Sequence, residues 1–103
     1  MLKAIEGIQT ALAGKTLADF ERDWLLRHGV QRGIEIISEA SRHLPAGMKA
    51  RHADVRWPAL AGIGNILRHE YHAISDKVIW DAIQDGVPPL RRAVEVMLAD
   101  LND

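Results

Sequence analysis

Residues that can transfer protons or bind phosphate are concentrated in one short stretch of the chain. If this stretch is helical, Asn65, Arg68, His69 and His72 follow the i, i+3, i+4, i+7 spacing and share one face, here called the polar stripe. Arginine is always cationic and imidazole titrates near neutral pH, so this combination suits an anionic ligand. The spacing therefore predicts a helix face that binds a phosphate-bearing molecule.

The polar stripe also has the groups needed to cleave a phosphodiester without a metal ion. The imidazole of a histidine on this face can take a proton from a ribose 2′-hydroxyl or give one to the leaving oxygen. The guanidinium of Arg68 can stabilise charge that builds at phosphorus, and the nearby Tyr71 can orient the phosphate or accept a transferred group. Because one histidine cannot act as base and acid at once, two chains facing each other would be a natural solution.

Two other interpretations of the polar stripe remain open. A polar face on an amphipathic helix is usually just its solvated side, although two histidines and a tyrosine are an unusual way to fill it. A metal ion shared by His69 and His72 is the competing chemistry. Glu70 lies about 100° away on a helix, the zincin spacing is absent and no third ligand is obvious. We therefore expect no metal site and no cofactor.

Composition restricts the class of protein. A chain of 103 residues with 48% hydrophobic residues is expected to form one globular domain, residues 1–103. The chain has no cysteine, and its formal net charge of −1 argues against strong non-specific binding to nucleic acid. No apolar run approaches the roughly 20 residues that span a bilayer, and the N-terminus lacks the apolar core of a signal peptide. We therefore expect a cytoplasmic protein with no membrane association.

Helical periodicity runs through nearly the whole chain and predicts an all-α, antiparallel bundle of about five helices. Gly14 should end a short first helix. Thr16 and Asp19 resemble a capping box that starts the longest helix, which should run to about Leu44. Trp24, Val30, Ile34 and Ile37 belong to its apolar face.

A loop over residues 45–56 should follow, with Lys49, Arg51, His52 and Arg56 as basic residues that could extend a positive surface toward the polar stripe. Trp57 and Pro58 should begin the helix that carries the polar stripe.

The last part of the chain predicts two further helices. Ser75 is a plausible cap for one running from Asp76 to about Gln84, with Val78, Ile79, Ala82 and Ile83 on its core side. Pro88 should open the final helix, with core residues Leu90, Val94, Met97, Leu98 and Leu101. In the two central helices, Ile34, Ile37, Leu60 and Leu67 should be buried.

With these helices and this polar stripe, the chain resembles the HepT-like group of HEPN domains. These are small helical bundles that act as toxins in HepT–MntA toxin–antitoxin pairs. The resemblance covers nearly the whole chain. It lies in residues 33–44, in Trp57, in the segment 61–71, in Val78-Ile-Trp-Asp and in Val87-Pro-Pro-Leu. The combination is far more specific than the His-x-Tyr pair alone.

The motif of this family is Arg, four to six residues, His, any residue, Tyr. His69 and Tyr71 match its second half, and Asn65 matches the Asn that commonly follows the Arg. The Arg position itself is Gly64, and Arg68 is the nearest replacement. The resemblance thus implies a metal-independent ribonuclease with His69 as acid or base. We expect Arg68, as the nearest replacement for the motif Arg, to clamp the phosphate, and Asn65 and His72 of the polar stripe to support the site.

The resemblance also implies partners. It implies a homodimer, possibly within a larger hetero-oligomer, with two copies of the motif lining one cleft for RNA. It further implies an MntA-like nucleotidyltransferase antitoxin that neutralises the toxin by adding AMP to Tyr71. The alternative hypotheses are a non-catalytic HEPN module that binds a nucleotide or the nucleotidyltransferase, and a purely structural interaction bundle.

Overall fold

A computed structural model describes residues 1–69 and 74–102, and all regular secondary structure in these two ranges is α-helical. The expected all-α bundle is confirmed, with six described helices instead of about five. The helices are α1 Leu2–Leu12, α2 Leu17–Arg22, α3 Trp24–Arg42, α4 Ala46–Ala50, α5 Trp57–His69 and α6 Asp76–Asn102.

The first turn after α1 follows the sequence closely. Gly14 adopts the left-handed region with φ 74°, which glycine tolerates without strain. The hydroxyl of Thr16 accepts a hydrogen bond from the Asp19 amide, and the Asp19 carboxylate accepts one from the Thr16 amide, at 3.2 and 3.0 Å. The predicted capping box is therefore confirmed.

The single helix expected from Thr16 to about Leu44 is wrong, because Asp23 divides it into α2 and α3. Asp23 has an extended backbone (φ −101°, ψ 99°), and its carboxylate accepts a hydrogen bond from the Leu26 amide at 3.0 Å. Aspartate is among the best N-cap residues, so it can end one helix and start the next. This division leaves Trp24 63% exposed instead of in the core.

The two separate helices predicted for the C-terminal part of the chain are also wrong, because residues 76–102 form the single 27-residue helix α6. Ser75 does cap it, accepting a hydrogen bond from the Val78 amide at 3.2 Å. Pro88 and Pro89 lie inside α6, although each removes a backbone donor and crowds the preceding turn. One unbroken row of buried side chains passes through them at helical spacing, and its burial outweighs the local penalty: Ile79, Ile83, Val87, Leu90, Val94 and Met97.

Several positions on α6 that were predicted to be in the core are exposed instead. Val78, Leu98 and Leu101 are 53, 41 and 73% exposed, and Ala82 is exposed as well. Val78 and Leu98 each lie next in sequence to a residue of the buried row, and successive helical residues point about 100° apart. Ile34, Ile37 and Leu67 are buried as predicted, whereas Leu60 is only half-buried.

The helices form a core in which α1 and α2 pack against α3 and α6, and α5 packs against the other side of α3. Phe20 is fully buried beside Trp80, with ring centroids 5.8 Å apart. The segment 45–56, expected to be a loop, contains the short helix α4. No helix in the described ranges combines the length and apolarity needed to cross a bilayer.

Candidate active site

The helix that carries the polar stripe begins at Trp57, as the sequence predicts. The indole nitrogen of Trp57 donates hydrogen bonds to the carbonyls of Lys49 and His52, at 3.0 and 3.2 Å. These bonds tie the start of α5 to the end of α4 and the turn that follows it. The direction in which α5 leaves this anchor therefore fixes where its polar residues lie.

Helix α5 runs antiparallel to α3 and approaches it closely at two small residues. The Ser38 hydroxyl and the Arg42 guanidinium, both on α3, each donate a hydrogen bond of 3.1 Å to the carbonyl of Ala61. One turn further along α5, Gly64 is buried against Ser38. The two helices are thus held at a separation that polar bonds and a glycine together define.

This close approach explains the residue at position 64. A Cβ atom built on Gly64 would lie 2.1 Å from the Ser38 hydroxyl oxygen and 2.2 Å from the Ser38 Cβ. Non-bonded carbon atoms prefer separations of about 3.5–4.0 Å, so no larger side chain fits unless α3 moves. Position 64, where the resemblance expects arginine, faces the neighbouring helix and is not free to present a cation.

Arg68 lies one turn beyond Gly64 and its side chain turns toward the outer edge of α3. Its Nη1 donates to Oε2 of Glu39 across 3.5 Å, and the other carboxylate oxygen of Glu39 lies 3.2 Å from Nε2 of His43. The side chains of Arg68 and Glu39 are 38 and 50% exposed. The guanidinium is therefore both paired and open to solvent, where an anion can reach it.

Asn65 and His69 are exposed on the outer surface of α5. His69 follows Arg68 directly, and neighbouring helical residues diverge by about 100°, so the two side chains leave α5 in different directions. Tyr71 and His72, the other predicted site residues, lie outside the described residues. The structure thus brings Arg68 next to Glu39, while His69 projects away from α3.

The basic residues that precede α5 are not part of this arrangement. Arg56 immediately precedes the helix, and its carbonyl accepts the Leu60 amide at 3.0 Å. At a rise of about 1.5 Å per residue, Arg56 and Arg68 are separated by about 18 Å along the helix axis. The basic segment therefore lies at the far end of α5 and does not extend the positive surface around Arg68.

A groove of about 490 Å³ separates the first half of α5 from α6. Leu60 and Ile63 line it from α5, Ile83 and Val87 from α6, and Ile34 and Ile37 form part of its floor. The open side of this groove is the reason that Leu60 is half-buried and not part of the closed core.

Sequence reasoning missed Glu39, Ser38 and Arg42. Nothing in the sequence pattern singles out Glu39, because its contact with Arg68 joins positions 29 residues apart. The i, i+4 spacing of Glu39 and His43 is visible in the sequence, but only the packing of α3 on α5 brings that pair to Arg68. Among the described residues, no group of three potential metal ligands is close enough to bind one ion.

Comparison with known proteins finds related sequences over nearly the whole chain. A family model described as "Ribonuclease HepT-like" matches residues 1–97. A protein named "Putative RNase TTE0752", from Caldanaerobacter subterraneus subsp. tengcongensis, is 32% identical over 95% of this chain and 88% of its own length. The "Probable ribonuclease HepT" of Thermococcus cleftensis is 30% identical over 90% of this chain and 84% of its own length.

A third relative, "Putative RNase MJ1380" of Methanocaldococcus jannaschii, is 32% identical over 77% of this chain and 72% of its own length. No solved structure matches the chain significantly. The match over nearly the whole chain shows that this protein belongs to the ribonuclease HepT-like family, as the resemblance of its sequence indicated.

Proposed function

We propose that this protein is a metal-independent ribonuclease that acts as a homodimer and is the toxin of a toxin–antitoxin pair. The observation that carries the proposal is the match of the ribonuclease HepT-like family over residues 1–97, which includes all of α5. Within that helix, His69 is exposed and adjacent in sequence to a solvent-accessible cation, Arg68. These are the two kinds of group that phosphodiester cleavage without a metal requires.

In the proposed reaction, the 2′-hydroxyl of a ribose attacks the adjacent phosphorus and the bond to the 5′-oxygen of the next nucleotide breaks. A base takes the 2′ proton, and an acid gives a proton to the leaving 5′-oxygen, so the products are a 2′,3′-cyclic phosphate and a 5′-hydroxyl. Arg68 binds the non-bridging oxygens and stabilises their charge in the transition state. His69 of one protomer and the partner's His69 supply the two proton-transfer groups.

Two features favour a second copy of the chain at this site. Arg68 and His69 diverge by about 100° around α5, so a single protomer does not direct both groups at one phosphate from the same side. Exposed isoleucines lie one helical turn before Glu39 and His69, where Ile36 and Ile66 are 43 and 38% exposed. Apolar side chains beside a polar site are typical of surfaces that become buried on association.

The regulatory part of the proposal concerns Tyr71. By resemblance to HepT–MntA pairs, a minimal nucleotidyltransferase would transfer AMP to the Tyr71 hydroxyl, releasing pyrophosphate from ATP. The bulky, negatively charged group would then lie two residues from His69 and repel RNA phosphates. This step rests on the sequence and the family, because Tyr71 lies outside the described residues.

The test of catalysis is RNA cleavage by the purified protein in the presence of a chelator, comparing wild type with His69→Ala, Arg68→Ala and Arg68→Lys. Loss of one charge-stabilising donor typically lowers the rate by about 10²–10³. Lysine should restore little, because it cannot reproduce the two-bond guanidinium fork. Arg92→Ala is the matched control, since Arg92 is an exposed arginine on α6.

Activity of the wild type with loss in His69→Ala would support the ribonuclease, and equal activity of Arg68→Ala would remove Arg68 from the mechanism. Sedimentation at micromolar concentration should give twice the monomer mass. Co-expression with a neighbouring nucleotidyltransferase should add one AMP to the wild type and none to Tyr71→Phe, as measured by mass spectrometry.

One observation favours a second candidate, the non-catalytic HEPN module that binds a nucleotide or a nucleotidyltransferase. Gly64 occupies the motif Arg position and is packed against Ser38, so the usual cation is absent there. A wild type that binds RNA or the partner but leaves RNA intact would establish this alternative.

A further inference from the structure

The contact that joins α3 to the polar stripe is the ion pair between Glu39 and Arg68. The pair spans two helices that are antiparallel neighbours, and it is made through a single guanidinium nitrogen, Nη1. Arginine has five N–H donors, so this contact leaves the remaining edge of the guanidinium able to bind a phosphate. Glu39 therefore pairs with Arg68 without occupying all of its donors.

Glu39 is itself held in place from two sides. Its Oε1 lies 3.2 Å from Nε2 of His43, one helical turn further along α3. It also follows Ser38, whose hydroxyl bonds the Ala61 carbonyl and whose Cβ fills the space over Gly64. The backbone that carries Glu39 is thus fixed against α5, one turn before Arg68.

An arginine that binds a phosphate benefits from such a partner. Its long side chain has many rotamers, and fixing them costs about 1.5–2 kcal/mol of conformational entropy. A cation that must meet a phosphate in one geometry works better when this ordering is completed before the substrate arrives. A carboxylate on the neighbouring rigid helix provides that ordering.

We propose that Glu39 is a positioning residue that holds the Arg68 guanidinium in the orientation that binds the RNA phosphate. The inference rests on the proposed ribonuclease function and assigns a role to a residue of α3, outside the helix that carries the motif. Glu39 does not contact RNA and acts only through Arg68.

The sign of the effect separates this role from simple electrostatics. Glu39 places a negative charge beside a surface that meets phosphates, so neutralising it should strengthen RNA binding if charge alone matters. If Glu39 positions Arg68, the same change should weaken binding instead. The pair is solvent-exposed, which limits the expected loss to about two- to fivefold.

The experiment measures the Kd for a 2′-O-methyl RNA oligonucleotide, which can bind but lacks the attacking hydroxyl. It compares wild type with Glu39→Gln, Glu39→Ala, Arg68→Ala and the double variant Glu39→Ala/Arg68→Ala. Glu95→Gln is the matched control: Glu95 is 52% exposed, against 50% for Glu39, and also pairs with an arginine, Arg91 on α6. Thermal melting verifies that each variant is folded.

We expect both Glu39 variants to bind more weakly than wild type, the double variant to bind no more weakly than Arg68→Ala, and Glu95→Gln to bind at least as well as wild type. In the Glu39 variants, the kcat for cleavable RNA should fall while Kd rises. Glu39→Gln binding as tightly as wild type or more tightly would overturn the positioning role, as would additive losses in the double variant. A wild type that neither binds nor cleaves RNA would overturn the ribonuclease proposal and this role with it.

Discussion

Replacing Gly64 by alanine should destabilise this protein, although the same change in most helices is stabilising. The new Cβ would lie 2.1 Å from the Ser38 hydroxyl oxygen and 2.2 Å from the Ser38 Cβ. The hydroxyl can rotate away, but the Ser38 Cβ is fixed to the backbone of α3. Helices α3 and α5 must therefore separate by about 1 Å or more to restore ordinary contact distances.

The expected magnitude follows from two opposing terms. Overpacking a well-filled site typically costs about 1–3 kcal/mol. Alanine returns about 1 kcal/mol of helix propensity relative to glycine. Separation of the helices also weakens the hydrogen bonds from Ser38 and Arg42 to the Ala61 carbonyl. We therefore expect a net loss of about 1–2 kcal/mol, and each kcal/mol should lower Tm by about 4–8 °C in a domain of this size.

Urea unfolding of a double-mutant cycle tests the cause as well as the size of this loss. In Gly64→Ala/Ser38→Gly the clashing atoms are gone, and the nearest atom of residue 38 is its Cα, 3.7 Å from the new Cβ. The double variant should thus be more stable than the sum of the two single changes by about 1–3 kcal/mol. Gly62→Ala is the control on the same helix, since a Cβ there meets nothing within 4 Å, and it should stabilise by about 0.5–1 kcal/mol.

The reasoning would be refuted by a Gly64→Ala protein as stable as the wild type, or by additive single changes. Additivity would mean that Ser38 is not what occupies the space over position 64. A loss in Gly62→Ala as large as that in Gly64→Ala would instead point to a general intolerance of α5 to substitution.

Two further predictions concern the core and the capping box. Leu67→Ala should lower the free energy of unfolding by about 2–5 kcal/mol, because Leu67 is only 4% exposed. Leu98 is 41% exposed, so Leu98→Ala should change it much less. Equal effects of the two substitutions in urea unfolding would contradict the helix faces assigned to these residues. The hydrogen bond from the Thr16 amide, and to a smaller extent the one from the Arg22 side chain, lowers the pKa of Asp19 below its ordinary 3.8. A depressed folded-state pKa contributes stability above the unfolded pKa, and this contribution is lost as pH falls through the folded value. As the pH falls below about 4, the free energy of unfolding of Asp19→Asn should therefore decrease less than that of the wild type. Acid-unfolding curves with the same pH dependence for both proteins would contradict this.

Local signals were sufficient where a helix boundary depends on adjacent residues. The capping box at Thr16, the turn at Gly14, the cap at Ser75 and the start of α5 at Trp57 all follow from side chains within a few positions of the boundary. These interactions form between residues close in sequence, and so the sequence alone carries enough information to predict them.

Long-range packing decides the helix boundary that was wrongly predicted at Pro88. Pro88 is a strong helix-start signal in isolation, yet Val87 and Leu90 on either side of it are 7 and 2% exposed and hold α6 together. At this position tertiary contacts select one of two local structures that the sequence permits. Asp23 differs, because it ends α2 and caps α3 through a local hydrogen bond, yet as a sequence signal it is no stronger than many other polar residues.

In the candidate site, too, the sequence predicts local groupings of residues but not contacts between helices. The grouping of Asn65, Arg68 and His69 on the outer part of α5 follows from helical spacing, and all three are exposed. The partner of Arg68 does not follow from spacing, because Glu39 belongs to another helix. Nor could spacing show that Gly64 faces Ser38, which depends on the distance between α3 and α5.

The contacts of Gly64 and Glu39 bear on a single question, which is where the site obtains its cation. An arginine at position 64 would need space that Ser38 fills, so the separation of α3 and α5 is incompatible with a motif Arg at that position. The same close approach brings Glu39 within 3.5 Å of Arg68 and gives that arginine a fixed partner. Because both contacts depend on one helix separation, the packing of Gly64 on Ser38 and the Glu39–Arg68 pair are structurally linked. The substitution Gly64→Arg should therefore separate α3 from α5 and weaken the Glu39–Arg68 pair, so that it disturbs Arg68 as well as adding a second cation.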